Sequence, residues 1–286
     1  MILDEKFTLS NGIEIPKLGV GTWMIRDEKS ENVVKDAVRV GYRHIDTAQA
    51  YQNENGVGRG MKNCGLQREE LFVTTKLAAE IKSYGEATTA IDKSLKTLGL
   101  DYVDMMLIHS PKPWAKFLDS DPYFEGNRQA WKALEEAYKK GKIKAIGVSN
   151  FEKEDVDNIL QSCSVKPMVN QVLAHISNIP ADLIQYCNEK SILVEAYSPI
   201  GHGELFKNGE ITEMAKKYHV SVAQLCIRYT LQLGLLPLPK TVNPIHLKSN
   251  TEIDFVIAHE DMNLLNNIGQ IRDYGESSVF PVFAKK

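Results

Sequence analysis

Asp46, Lys76 and His109 each close a short apolar run in this 286-residue chain, and Tyr51 follows the first run after a brief loop. Their types suit proton chemistry at a carbonyl. A free phenol has a pKa of about 10, too high for efficient acid–base work near neutrality. A nearby ammonium favours the phenolate and lowers that pKa, and a carboxylate paired with the ammonium holds it in place. A neutral imidazole donates a hydrogen bond to a carbonyl oxygen and orients it. The four could thus make a proton donor aimed at a carbonyl that is receiving a hydride. No side chain supplies a hydride, so a cofactor must.

Read singly, each residue has a plainer role. Asp46 could cap a turn, Lys76 could be a solvated loop lysine, His109 a core histidine and Tyr51 a packing tyrosine. What argues otherwise is that all four project onto one rim. Two other chemistries use the same residues. A Schiff-base lyase would use Lys76 as nucleophile. A metal-dependent hydrolase would use His44, Asp46 and His109, but the His-x-His pair expected there is missing. The plainer reading of His44 is a structural hydrogen bond under the rim.

The elements that must position these groups follow a strand-then-helix rhythm. Runs rich in β-branched residues end near Val20, Asp46, Lys76, His109, Val148, Gln171, Tyr197 and Leu238. Stretches of helical periodicity follow, as in 30–40, 86–98, 128–140 and 222–233. Each interval fits one βα unit of roughly 30 residues. Eight such units without a linker predict an α/β chain folded as a single (β/α)8 TIM barrel over residues 1–286. Phe7 to Ile15, around Asn11-Gly12, carries a hairpin signal and predicts a β-hairpin cap before the barrel. Alternation points Lys76 inward in phase with Phe72 and Thr74, and His109 inward in phase with Met105 and Leu107. Gly56-Val57-Gly58-Arg59-Gly60 has the wrong spacing for a dinucleotide fingerprint and lies in a helical stretch.

Composition narrows the class. There are 34 Lys+Arg against 37 Asp+Glu, for a net charge of −3, with 43% hydrophobic and 25% charged residues. That balance excludes a strongly basic nucleic-acid binder and a disordered chain. The cysteines Cys64, Cys163, Cys187 and Cys226 are scattered, with no CxxC pair, so neither a zinc site nor a disulfide scaffold is expected. The N-terminus lacks the apolar core of a signal peptide, and no window approaches a membrane span. A soluble protein of a reducing, cytoplasmic setting is the expectation.

The motifs, taken in order, resemble those of the aldo-keto reductase family. They are Leu18-Gly19-Val20-Gly21-Thr22-Trp23, then Gly41-Tyr42-Arg43-His44-Ile45-Asp46-Thr47-Ala48 through Tyr51, Thr74-Thr75-Lys76 and Leu107-Ile108-His109. Gly147-Val148-Ser149-Asn150-Phe151, Asn170-Gln171, Tyr197-Ser198-Pro199 and Leu238-Pro239-Lys240-Thr241-Val242-Asn243-Pro244 complete the set. The pattern is similar to bacterial-type members of the 2,5-diketo-D-gluconate reductase-like kind. The resemblance implies NADPH-dependent carbonyl reduction by a tetrad of Asp46, Tyr51, Lys76 and His109, with Tyr51 as general acid. It implies Ser149, Asn150 and Gln171 on the nicotinamide carboxamide, and Tyr197 stacked on its ring. Ser198, Pro199, Ile200, Gly201 and Leu205 would line the pyrophosphate. Lys240, Thr241, Val242 and Asn243 would meet the 2′-phosphate, Asn250 the adenine, and Thr22 would also belong to the cofactor site. Trp23 and Trp114 would join Tyr51 and His109 in binding a small carbonyl substrate. The family also favours a monomer, and its non-catalytic members leave a regulatory or structural role as the alternative.

Two departures stand out. His246 occupies a position where many relatives carry an arginine; it is shorter and lacks the bidentate fork. Lys240 still offers a positive charge, so NADPH is expected first, with weaker discrimination against NADH. Ser110 stands where many relatives have tryptophan, and the following loop offers Trp114 and Phe117 instead, as pocket walls or as loop packing. The tail, Ser277 to Lys286, is short, which in this family goes with an open pocket.

Overall fold

The structure, a computed structural model, describes residues 1–284. Two short strands, β1 (Lys6–Thr8) and β2 (Glu14–Pro16), pair antiparallel as the expected hairpin. Eight parallel strands follow: β3 (Gly19–Gly21), β4 (His44–Asp46), β5 (Phe72–Leu77), β6 (Val103–Ile108), β7 (Ile143–Ser149), β8 (Val169–Leu173), β9 (Leu193–Tyr197) and β10 (Leu236–Leu238). Each pairs with the next in sequence. At the seam Gly21 N–H donates to Pro239 O at 3.0 Å, which brings the first strand to the last. Gly19 is needed there, because a Cβ would lie 2.6 Å from both His44 Nδ1 and Leu238 Cδ2. The result is a (β/α)8 barrel. β5 and β6 are buried on both faces, as strands covered by helices outside and side chains inside must be.

The helices are α1 (Asp27–Val40), α2 (Glu54–Lys62), α3 (Tyr84–Leu98), α4 (Phe124–Lys139), α5 (Lys153–Leu160), α6 (Ala181–Glu189), α7 (Gly209–Lys217), α8 (Val222–Gln232), α9 (Pro244–Ser249), α10 (His259–Asn266) and α11 (Pro281–Ala284). Several begin before the periodicity does. α1 starts at Asp27 rather than Ser30, because Asp27 and Glu28 complement the helix N-terminus without joining the apolar stripe. α3 and α4 also start early, at Tyr84 and Phe124. Ser83 caps α3 by accepting from Glu86 N–H, and Ser221 with Gln224 forms a capping box on α8. On α4, Trp131, Leu134 and Ala137 are buried at helical spacing, as expected, and Tyr138 packs partly buried beside them.

The glycine run on α2 serves packing. A Cβ on Gly58 would sit 2.0 Å from Leu98 O, and one on Gly56 would sit 2.1 Å from Asp27 O. Alanine normally favours a helix over glycine by about 1 kcal/mol. Here overpacking decides the sign, and Gly58→Ala is expected to destabilise the protein by about 2 kcal/mol. A thermal melt checks this: the variant must melt below the parent.

Candidate active site

β4, β5 and β6 bring the four candidate groups to one end of the barrel. Lys76 is fully buried and reaches Asp46 Oδ1 at 2.6 Å and Oδ2 at 2.8 Å. It also donates to Thr47 O at 3.1 Å and to the Tyr51 hydroxyl at 3.3 Å. Asp46 is held from behind, where Thr22 N–H and Thr22 Oγ1 both donate to its carbonyl. The loop carrying Tyr51 is anchored by Asn53, which is fully buried. Asn53 accepts from Thr47 Oγ1 at 2.7 Å and donates to Thr22 O and Ile25 O, both at 2.9 Å. His109 faces Tyr51 edge-on, with ring centroids 5.5 Å apart. His44 lies one layer down and bonds Thr74 Oγ1 at 3.0 Å, the structural role expected of it.

Electrostatics correct one expectation. The Tyr51 phenol is held above its ordinary pKa, because burial outweighs the pull of the Lys76 ammonium. Burial opposes the charge on Lys76 too, but Asp46 and Tyr51 beside it win and raise its pKa. His109 is driven well below its usual value, by burial first and Lys76 second, so its imidazole is neutral. Its Nδ1 has no partner among the described residues.

A cavity of about 590 Å³ opens above these groups. Asp46, Tyr51 and His109 border it, the first two bonded to Lys76. So do Ser149, Asn150, Gln171, Tyr197, Ser198, Pro199, Ile200 and Lys240 from the cofactor set, and Trp23 and Trp114 from the substrate set. Other predicted residues do not border it. Thr22 lies behind Asp46, and Gly201 and Leu205 are buried within the loop after β9. Thr241, Val242 and Asn243 lead from Lys240 into α9, which carries His246 and is followed by the buried Asn250; Asn243 caps the helix by accepting from Ile245 N–H.

The Trp114 and Phe117 alternatives separate cleanly. Trp114 meets His109 edge-on at 5.1 Å, while Phe117 stacks on Trp114 at 5.7 Å, off the cavity wall. Ser110 is buried, and its carbonyl accepts from Lys82 Nζ at 2.9 Å, which ties down the start of that loop.

Several wall residues were not legible in the sequence: Met24, His202, Phe206, Phe280 and Phe283. His202 bridges Ser198 and Ser277 with its two ring nitrogens, at 3.0 and 3.2 Å. Trp23 packs edge-on against both His202 and Phe280. The tail therefore builds one side of the cavity. Its last two residues, Lys285 and Lys286, lie outside the described residues. The aromatic spacing of Phe280 and Phe283 was the available signal. Asn150, Ser198, His202 and Met24, all on the wall, have positive φ, and non-glycine residues held so tend to cluster at functional sites.

The donor set fits a nicotinamide dinucleotide. Gln171 gives its amide nitrogen to Asp46 and Glu195, and its Oε1 takes no bond among the described residues. An open acceptor at the cavity suits a carboxamide N–H2. Tyr197 is steadied by a 2.8 Å bond from its hydroxyl to Asn150 Oδ1. Asn150 in turn donates to His109 O and Ser149 Oγ. Lys240 forms no ion pair among the described residues, which leaves a cation for phosphate.

All four cysteines are free. Among the described residues no cluster of His, Cys, Asp and Glu could hold a metal ion, and no helix is long and apolar enough to cross a membrane.

Comparison with known proteins places the chain in a family. The model of the aldo/keto reductase family matches residues 17–270. Glyoxal reductase of Bacillus subtilis is 40% identical over 270 residues, which cover 94% of each chain. The crystal structure of an aldo/keto reductase from Brucella melitensis superposes with a TM-score of 0.87 at 34% identity, covering 93% of this chain and 98% of that one. An aldo-keto reductase of Bombyx mori, solved in complex with NADP, gives a TM-score of 0.84 at 31% identity over 98% of both chains. The chain belongs to the aldo/keto reductase family.

Proposed function

We propose that this chain reduces aldehydes and ketones to alcohols with NADPH, and that Tyr51 gives the proton. The observation that carries this reading is the bonded run Gln171–Asp46–Lys76–Tyr51, which ends at a cavity shared with a neutral His109. Bound by the residues above, the dinucleotide supplies the hydride. Gln171, Ser149 and Asn150 would hold its carboxamide and Tyr197 its ring. Pro199, Ile200, Gly201 and Leu205 would line its pyrophosphate with Ser198, and Lys240 through Asn243 its 2′-phosphate.

The protein's own groups do the rest. His109 donates an N–H to the carbonyl oxygen and orients it. Tyr51 keeps its proton at neutral pH, since its pKa is raised, and gives it up as charge develops on that oxygen. Lys76, 3.3 Å away, stabilises the phenolate that results. Asp46 keeps Lys76 charged and in place. The same pairing works against a Schiff-base role, which needs a neutral amine at Lys76.

The substrates are small carbonyl compounds, met by Trp23 and Trp114 on the cavity wall. The diketogluconate reductase-like subtype, a single monomeric domain and a cytoplasmic location belong to this proposal. The test is NADPH oxidation at 340 nm against a panel of aldehydes, dicarbonyls, keto-sugars and ketones; silence across the panel sinks the reading. On the best substrate kcat/KM is expected to favour NADPH over NADH, with Lys240 supplying the charge. His246→Arg should widen that preference about tenfold by adding a charge-assisted fork. Equal or better use of NADH by the parent protein would contradict the assignment.

A further inference from the structure

One acidic group inside the barrel has no part in the reaction above. Glu195 lies in the middle of β9, fully buried, in register with Gln171 on β8 and Leu236 on β10. Its Oε2 accepts from Gln171 Nε2 at 2.7 Å, and its Oε1 has no partner among the described residues. The same Nε2 donates to Asp46 Oδ2 at 2.9 Å. An amide nitrogen has two hydrogens, and both are committed to carboxyl oxygens, one from β4 and one from β9. With the nitrogen tied at two points, Oε1 is the amide atom left for the cavity that Gln171 borders. A flipped amide would lose the bond to Asp46 and set its oxygen against that carboxylate. Asp46 alone is a weaker anchor, because Lys76 already occupies both of its oxygens.

We propose that Glu195 is a positioning residue, which acts through Gln171 to aim a fixed acceptor at the carboxamide of the bound nicotinamide. This rests on the cofactor reading above. The cost of placing an acid here supports a role in function. Burial, and after it the Asp46 charge, push the Glu195 carboxyl up to about 8, with Gln171 and Lys76 offsetting only part. The charged groups facing it are Asp46 of β4 and Lys76 of β5; β8 and β10 present Gln171 and Leu236. An acid that is neutral when folded and ionised when unfolded makes stability fall as pH rises from about 4.5 to about 8. A well-packed apolar residue would avoid that loss.

The experiment compares NADP+ with its 3-acetylpyridine analogue, whose methyl ketone lacks the carboxamide N–H2. Dissociation constants come from quenching of intrinsic tryptophan fluorescence. The parent protein should prefer NADP+ by about tenfold, the worth of one well-placed hydrogen bond. E195L should bring that preference to within about twofold, as should Q171L, while E195Q, which keeps an acceptor, should retain it. A charged acceptor holds the amide more firmly. The parent's preference should therefore grow between pH 6.5 and 9, and that of E195Q should stay flat. If E195L keeps the full preference while Q171L loses it, the role of Glu195 is overturned and the cofactor reading stands. If the parent protein binds NADP+ no better than the analogue, both readings fall. Should E195L not fold, the pH comparison decides, and equal pH dependence in the parent and E195Q overturns the proposal.

Discussion

Tyr51→Phe is expected to lower kcat for carbonyl reduction by about 10²- to 10⁴-fold while leaving the fold and cofactor affinity nearly unchanged. The hydroxyl removed makes one bond, at 3.3 Å to Lys76. Lys76 keeps Asp46 and Thr47 O, so no buried charge loses its partner. Stability should therefore move by no more than about 1 kcal/mol. The ring remains, and with it the packing against His109. What disappears is the proton that the substrate oxygen must receive. Initial rates at 340 nm, paired with a dissociation constant for NADPH from fluorescence quenching, separate the two effects. A variant that retains more than about a tenth of the parent kcat would remove Tyr51 from the mechanism.

The strand positions were readable because each strand is a dense run of β-branched and apolar residues, and the polar group that ends it breaks the run. Asp46, Lys76 and His109 were found that way. Helix starts were less readable, since the first turns of α1, α3 and α4 extend beyond the apolar stripe. The sign of the Tyr51 shift was missed for a different reason. The neighbours of Tyr51 could be inferred from strand order, but the depth at which it is buried could not, and burial decides the direction. Asn53 contacts backbone at Thr22 and Ile25, across a distance in sequence that no local pattern encodes. Glu195 did carry a signal, being a lone charge in Leu193-Val194-Glu195-Ala196-Tyr197, in phase with Tyr197. The length of the tail said nothing of its place in the wall, which comes from the reach of two phenylalanines back to Trp23.

Lys76→Met should have the largest effect on stability, about 3–5 kcal/mol, together with a loss of activity. The two charges are both buried, with side chains 0% and 5% exposed. Removing the lysine leaves the Asp46 carboxylate with one remaining side-chain donor among the described residues, Gln171 Nε2. Methionine fills similar space, so a cavity is not the cause. In the parent protein the pKa of Lys76 is raised above 10.5, so its contribution is complete below that pH and is lost only as pH climbs through the folded value. Lys76 therefore adds no slope between pH 6 and 9. In the variant the Asp46 carboxyl is left buried without its cation, and that is the source of the loss. Adding Asp46→Asn to Lys76→Met should recover part of the loss, because the unpaired carboxyl is removed. Urea denaturation of the parent, both single variants and the double variant at several pH values supplies the cycle. Strict additivity of the two substitutions would mean that the ion pair does not couple them, and the account of how Lys76 is kept charged beneath Tyr51 would have to be abandoned.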